Sequence, residues 1–141
     1  MLESYRDLIE ELLGTPRALR VLLAERGDHD EELARLVAGI RDRDRAVLDR
    51  LQLMLRERDP MLPVLVEGTP AVPASSKLLL DEVDMARGDL VSLLMSLALK
   101  DWERTATHEI DGEISLAEEV ERHVDFDEAR LAAIEARCQP A

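Results

Sequence analysis

The chain has 141 residues, 35 % of them charged and 2 % aromatic, and its formal net charge is −13. A surface this acidic repels nucleic-acid backbones and anionic lipids, so we expect no nucleic acid and no membrane among its partners. Because residues that favour helices dominate and residues that favour strands are scarce, the composition predicts an all-α protein.

The whole sequence is expected to form one cytoplasmic domain, residues 1–141. Its single cysteine, Cys138, cannot form an internal disulfide, which fits a reducing compartment. The first residues do not have the pattern of a secretory signal, and no apolar run approaches the length that spans a bilayer.

Apolar residues recur at helical spacing from about residue 3 to 26 and again from about residue 30 to 58. Pro16 falls inside the first stretch, and because proline has no backbone N–H, we expect a break or kink there. Asp44 lies close to the centre of the apolar face of the second stretch. A buried carboxylate at that position needs a partner.

Residues 59–73 hold four of the six prolines and separate the second helix from a third, predicted at about 75–101. This segment is expected to be an extended crossover, either a plain linker or a flap over a pocket. Arg87 lies at the border of the apolar face of the third helix. Helical phase alone suggests that Arg87 pairs with Asp44 inside the bundle.

The last helix is predicted at about 115–137, and Ser115 begins it with a capping box. His123 and Asp127 lie among its core positions, four residues apart. Four helices with a long second connection predict a four-helix bundle whose crossover joins helices two and three.

Three segments of the sequence are similar to motifs of one known family. Residues 101–116 resemble the D-W-x-R-x-x-x-H-x-x-x-G-x-x-(T/S)-L junction of the DinB/YfiT-like family. Residues 126–134 resemble its H-D-x-x-H-L-x-x-I helix, and residues 36–44 its h-x-x-H-L-x-D-x-E stretch, where h is an apolar residue. The resemblance implies an up-down-down-up bundle, usually a homodimer. It also implies a divalent metal such as Zn or Ni, held by three histidines and used in some members for thiol transfer or hydrolysis.

The three positions that correspond to the family's histidines are occupied here by Gly39, Phe126 and Arg130. None of these side chains is a metal ligand, and a guanidinium carries a permanent positive charge. Arg43, one turn after Gly39, adds to that charge. We therefore expect a vacated metal site, no cofactor and no catalysis, in a module that binds a small molecule or another protein.

An alternative is a metal-dependent thiol transferase or hydrolase of this family that uses substitute ligands. His123 and Asp127, with Asp44 as a third ligand, are the set that the helical pattern allows. The same three residues are equally compatible with a structural hydrogen bond or ion pair. His29 and His108 are expected to be surface or capping residues.

A pocket for a small anion is a further possibility for the basic residues. Arg43 and Arg130, with Arg87 as a third member, would supply its positive charge. In the competing interpretation these arginines only neutralise Asp44 and Asp127.

Overall fold

The computed structural model describes residues 2–24 and 30–139, so His29 and the turn before Asp30 lie outside the described residues. Within these ranges no helix has the length and apolar character needed to cross a membrane. The elements in chain order are α1 (Glu3–Leu23), α2 (Glu31–Arg56), β1 (Met61–Leu62), α3 (Ser76–Ser96), α4 (Leu99–Trp102), β2 (Thr105–His108), β3 (Gly112–Ser115) and α5 (Leu116–Cys138).

Contacts between the long helices establish the up-down-down-up order. Around the bundle the packing order is α1, α3, α2 and α5, with α5 closing against α1. Arg41 pairs with Glu82 and Asp44 with Arg87, so α2 and α3 run parallel. The corresponding contacts show that α1 is antiparallel to α3 and that α2 is antiparallel to α5. The all-α four-helix bundle with a crossover between α2 and α3 is thus confirmed.

Side chains define where α3 and α5 begin. Ser75 Oγ accepts a hydrogen bond from the backbone N–H of Leu78 at 3.1 Å. At the start of α5, Ser115 Oγ accepts from Glu118 N, and Glu118 Oε1 accepts from Ser115 N in return. This reciprocal pair is the predicted capping box.

The end of the third helix differs from the prediction of 75–101. Helix α3 ends at Ser96, and Leu97 is extended, with ψ of 139°. Ser96 Oγ donates to the Leu93 carbonyl at 2.6 Å, which competes with continued helical bonding there. The N–H of Ala98 then donates to Asp101 Oδ2 at 2.9 Å, and this bond starts the separate short helix α4.

The break expected near Pro16 requires correction, because α1 continues through Pro16 as one helix. Proline cannot donate to the carbonyl four residues back, which is that of Leu12. Arg87 Nη1 donates to the Leu12 carbonyl instead, at 2.8 Å. The helix therefore continues because a side chain from α3 satisfies the backbone group that the proline leaves free.

A small three-stranded sheet, which helical periodicity did not predict, lies in the connections between the long helices. Strands β2 and β3 form an antiparallel hairpin in which Ala106 faces Ile114. Strand β1, from the crossover, pairs in parallel with β2 through Met61 and Thr107. The inward side chains Leu62, Ala106 and Ile114 belong to the main apolar core, so the sheet closes one end of the bundle.

The apolar interior consists of two clusters with a polar layer between them. One cluster contains Leu12 of α1 and Val47 of α2, and the other contains Leu19 of α1 and Ile40 of α2. Each long helix places a buried polar residue between its two apolar parts. These residues are Thr15, Asp44, Arg87 and Asp127.

Candidate functional site

The centre of the polar layer is Arg87, whose guanidinium lies between two carboxylates. Arg87 Nη2 is 2.9 Å from Asp44 Oδ1, and Nη1 is 2.6 Å from Asp127 Oδ2. A second bond joins Nη2 to Asp127 Oδ1 at 2.9 Å, and Nε donates to Asp44 as well. The pair of Arg87 with Asp44 that helical phase suggested is present, with Asp127 as an additional partner.

His123 and Thr15 complete this buried network. His123 Nε2 lies 2.6 Å from Asp44 Oδ1, and Thr15 Oγ1 donates to Asp127 Oδ2 at 2.8 Å. All of these side chains are buried, and Asp44 has no exposed surface. The sequence did not predict that Thr15 belongs to this network. Its position directly before Pro16 was the one available indication.

The electrostatics of the network leave Arg87 unavailable to a ligand. Burial opposes its charge, but the hydrogen bond to Asp127 and the charges of Asp44 and Asp127 outweigh that effect and raise the pKa of Arg87. Its donors are directed at the two carboxylates and at the Leu12 carbonyl. Arg87 therefore does not belong to an anion pocket with Arg43 and Arg130.

A second group of side chains lies on the edge between α2 and α5. It contains Gly39, Phe126 and Arg130, the positions at which the sequence resemblance implies histidines. A Cβ atom built on Gly39 would collide with Arg130 Nη1 and would lie 3.3 Å from Arg130 Cζ. The guanidinium of Arg130 also lies over the ring of Phe126, with Cζ 4.9 Å from the ring centroid. Gly39, Phe126 and Arg130 therefore meet at one place, and the guanidinium fills the space beside the glycine.

Two hydrogen-bonding partners hold Arg130 in this position. Its Nη1 donates to the backbone carbonyl of Leu36 at 2.9 Å, and its Nη2 pairs with the carboxylate of Glu67 in the crossover. Glu67 is half-exposed, with 52 % of its side chain accessible. It was missed from the sequence, although it is the one carboxylate between Pro60 and Pro73.

Arg43 approaches the same ring, with its Cζ 4.7 Å from the centroid of Phe126. Its Nε is buried and has no hydrogen-bond partner in the described part of the chain. Burial lowers the pKa of Arg43, the charges of Arg50 and Arg130 act in the same direction, and those of Glu119 and Glu67 oppose them. The site thus has two guanidiniums on one aromatic ring, and one of them has an unsatisfied donor.

The crossover lies over this site and is anchored on both sides of it by arginines of α2. Arg50 Nη1 donates to the Pro63 carbonyl and Arg41 Nη2 to the Ala71 carbonyl, both at 2.7 Å. Glu67 lies midway between these two anchors. No sequence pattern indicates that Arg41 and Arg50 hold the crossover, because their partners are backbone carbonyls.

His108 and Trp102 lie away from both groups. His108 Nδ1 accepts the backbone N–H groups of Ile110 and Asp111, at 3.2 and 3.3 Å, so it caps the turn of the hairpin. Trp102 is buried in the main core and stacks on Tyr5 with ring centroids 4.5 Å apart. Neither residue contributes a group to the candidate site.

Comparison of the sequence with protein-family models and with curated proteins gives no match. Among solved structures the chain is similar to YfiT from Bacillus subtilis, described as a probable metal-dependent hydrolase with an unusual four-helix bundle topology. The TM-score is 0.74 at 14 % sequence identity, and the match covers 97 % of this chain and 89 % of YfiT. The chain has the YfiT fold. At this level of identity the likeness to YfiT establishes the fold alone.

Gly39, Phe126 and Arg130 are poorly suited to bind the metal that the family resemblance implies. Glycine has no side chain, phenylalanine offers no donor atom, and the guanidinium of Arg130 is a cation. Within residues 2–24 and 30–139, no three side chains of His, Cys, Asp or Glu come together as a metal-binding group.

The substitute ligands considered for a YfiT-like metal centre are His123, Asp44 and Asp127. His123 contacts Asp44, but the guanidinium of Arg87 lies between the two carboxylates and donates hydrogen bonds to both of them. A cation is therefore already present where the second cation would have to bind. These residues form a structural ion-pair network in this arrangement.

Proposed function

We propose that this chain is a non-catalytic bundle of the DinB/YfiT type, in which an arginine replaces the metal and the vacated site binds a small molecule. The observation that carries the proposal is the position of Arg130. Its guanidinium occupies the space beside Gly39 and is held there by the Leu36 carbonyl and by Glu67. A metal ligand at residue 39 would need that space.

The chemistry of the replacement supports binding over catalysis. A metal ion in a hydrolase lowers the pKa of a bound water and polarises the substrate. A guanidinium keeps its proton near neutral pH and supplies directional N–H donors for planar anions. Arg130 and Arg43 together thus offer positive charge and hydrogen bonds, without a group that would activate a nucleophile.

Elemental analysis of protein purified without a histidine tag and without chelators tests this proposal. We expect Zn and Ni together to be well below one equivalent per chain, also after incubation with either metal followed by desalting. A stable equivalent of metal per chain would contradict the proposal. Metal content is the appropriate measurement because it does not require a known substrate.

The competing function is a metal-dependent thiol transferase or hydrolase with substitute ligands. It is favoured by the fold of YfiT, which is described as a probable metal-dependent hydrolase. This function requires a stoichiometric metal, so the same elemental analysis distinguishes it from a metal-free binding module.

We also propose that the protein is a cytoplasmic homodimer, as the family resemblance implies. The exposed apolar side chains Leu13 and Val21 on α1, and Met85 and Met95 on α3, are available to a second copy. Light scattering should then give about twice the chain mass of 15.9 kDa. A monomer at micromolar concentration would contradict the dimer.

A further inference from the structure

A small cavity lies between α2 and the middle of the crossover, directly at the converted metal position. Its volume is about 70 Å³, and it is lined by Gly39, Asp42, Arg43 and Ala46 of α2 together with residues 65–68 and Pro70 of the crossover. The carboxylate of Asp42 is paired with Arg41. A molecule of liquid water occupies about 30 Å³, so the cavity has room for a few heavy atoms. It therefore suits the head group of a small molecule.

The donors beside this cavity are cationic, and one of them is unsatisfied. Arg43 Nε is buried and has no hydrogen-bond partner among the described residues. A buried donor without an acceptor is unfavourable, so an acceptor that reached it would be bound. Arg130 is outside the lining of the cavity, but its Nη1 lies beside Gly39, which lines the cavity, and its Cζ is 4.9 Å from the centroid of Phe126. An anion that replaced the Glu67 carboxylate would therefore pair with Arg130 at the edge of a cavity that Arg43 lines.

The crossover itself shows which kind of anion Arg130 accepts. The carboxylate of Glu67 pairs with Arg130 Nη2, and it would lie 2.9 Å from a Cβ atom at Gly39. Glu67 is half-exposed, whereas the anchors on either side of it use the buried side chains of Arg41 and Arg50. Glu67 can therefore leave Arg130 while the rest of the crossover stays in place.

We propose that this cavity binds a small carboxylic acid, whose carboxylate displaces Glu67 from Arg130 and accepts a hydrogen bond from Arg43. Arginine binds planar carboxylates through parallel N–H donors, which favours this class over spherical anions. The short carbon chain would lie against Ala46 and Leu65, which are partly buried beside the cavity. This inference rests on the proposed function, since a metal at the same position would exclude it.

Glu67 then acts as an internal competitor for the ligand. A tethered group competes at an effective concentration of about millimolar, so a weakly bound acid is opposed by the protein's own carboxylate. Removing that carboxylate, without changing the arginines, should tighten binding of the acid.

Calorimetric titration with sodium butyrate, at constant ionic strength set by NaCl, tests the proposal. We expect Glu67→Gln to bind butyrate at least about tenfold more tightly than the parent, because the competitor is removed. The double variant Glu67→Gln, Arg130→Gln should bind butyrate about tenfold or more weakly than Glu67→Gln alone. The matched control is Glu128→Gln, which makes the same charge change at a distant position, on the side of α5 that faces α1. This variant should bind butyrate with the affinity of the parent.

Equal butyrate affinity in the parent and Glu67→Gln, in samples with the circular dichroism of the folded parent, would overturn the inference. Tighter binding of inorganic phosphate than of butyrate would overturn the carboxylate assignment, and so would equal binding of neutral butyramide. Metal content is measured on the same samples. A metal-loaded parent contradicts the proposed function, whereas a metal-free protein that does not bind butyrate contradicts this inference alone.

Discussion

Arg87 shows how a single residue fixes the arrangement of the four helices. It comes from α3 and contacts a carboxylate on α2, a carboxylate on α5 and a backbone carbonyl on α1. Taking these charges out of water is costly, and the ion pairs offset that cost only when every partner is in place. The network is therefore better understood as a device that specifies helix positions than as a source of net stability.

Replacement of Arg87 by methionine is expected to lower the free energy of unfolding by about 3–5 kcal/mol, because Asp44 and Asp127 would remain buried without a counter-charge. Arg20→Met is the matched control, since Arg20 pairs with carboxylates that are almost half exposed and such pairs contribute about 0–1 kcal/mol. Urea denaturation of both variants measures the difference. Equal effects of the two substitutions would show that the buried network does not specify the bundle.

At the scale of elements, the crossover is a covering segment with defined anchors. Its β1 strand pairs with β2, Arg50 and Arg41 hold the carbonyls of Pro63 and Ala71, and Glu67 lies between these points. The prolines prevent the segment from forming a helix, so its own backbone satisfies few of its polar groups. Side chains of α2 supply the missing donors, and as a result the segment is held over Gly39 and Arg43.

Arg41→Met is expected to loosen the end of the crossover without unfolding the bundle. The substitution removes the charge-assisted hydrogen bond to Ala71, a contribution of about 1.5–3 kcal/mol to local closure, together with the pair to Glu82 on α3. Proteolytic cleavage within residues 69–72 should then become roughly ten to a hundred times faster, while α5 stays uncut.

The control for this change is Arg45→Met, on the same helix, because Arg45 is exposed and so is its partner Asp42. It should leave proteolytic cleavage of the crossover as in the parent. If Arg41→Met behaved like this control, the arginine would not be an anchor of the crossover.

At the scale of the whole molecule, helical periodicity was sufficient to predict the bundle. The apolar stripes predicted the helices. The charged residues Asp44 and Arg87 interrupt these stripes, and they predicted a buried pair because a charge on an apolar face requires a partner. Periodicity could not predict the three-stranded sheet. Its strands have two to four residues, and β1 pairs with a strand that is remote in sequence.

The continuous helix at Pro16 was also beyond local reasoning. The rule that proline breaks a helix assumes that the freed carbonyl has no other partner, and here Arg87 of α3 supplies one. For the candidate site, the resemblance identified Gly39, Phe126 and Arg130, while the contact of Arg130 with Glu67 needed the fold. A helical stripe indicates that a buried charge needs a partner, but it does not indicate partners that are backbone carbonyls or that lie in the crossover.

In the proposed function, Gly39, Phe126 and Arg130 meet at one place and occupy the positions at which the sequence resemblance implies metal-binding histidines. The contacts of Arg130 with the space beside Gly39 and with the ring of Phe126 imply that histidines at these three positions would converge. Replacing Arg130 also clears the guanidinium that a side chain at residue 39 would strike, and leaves only the movable carboxylate of Glu67 nearby.

The most direct measurement is the zinc content of the triple variant Gly39→His, Phe126→His, Arg130→His beside that of the untagged parent, each after incubation with zinc and desalting. Arg130→His alone is the control for a single added imidazole. We predict about one equivalent of zinc per chain in the triple variant, because three imidazoles form a complete ligand set, and none in the parent or the control. A folded triple variant without zinc, or a parent that retains a full equivalent, would contradict the account.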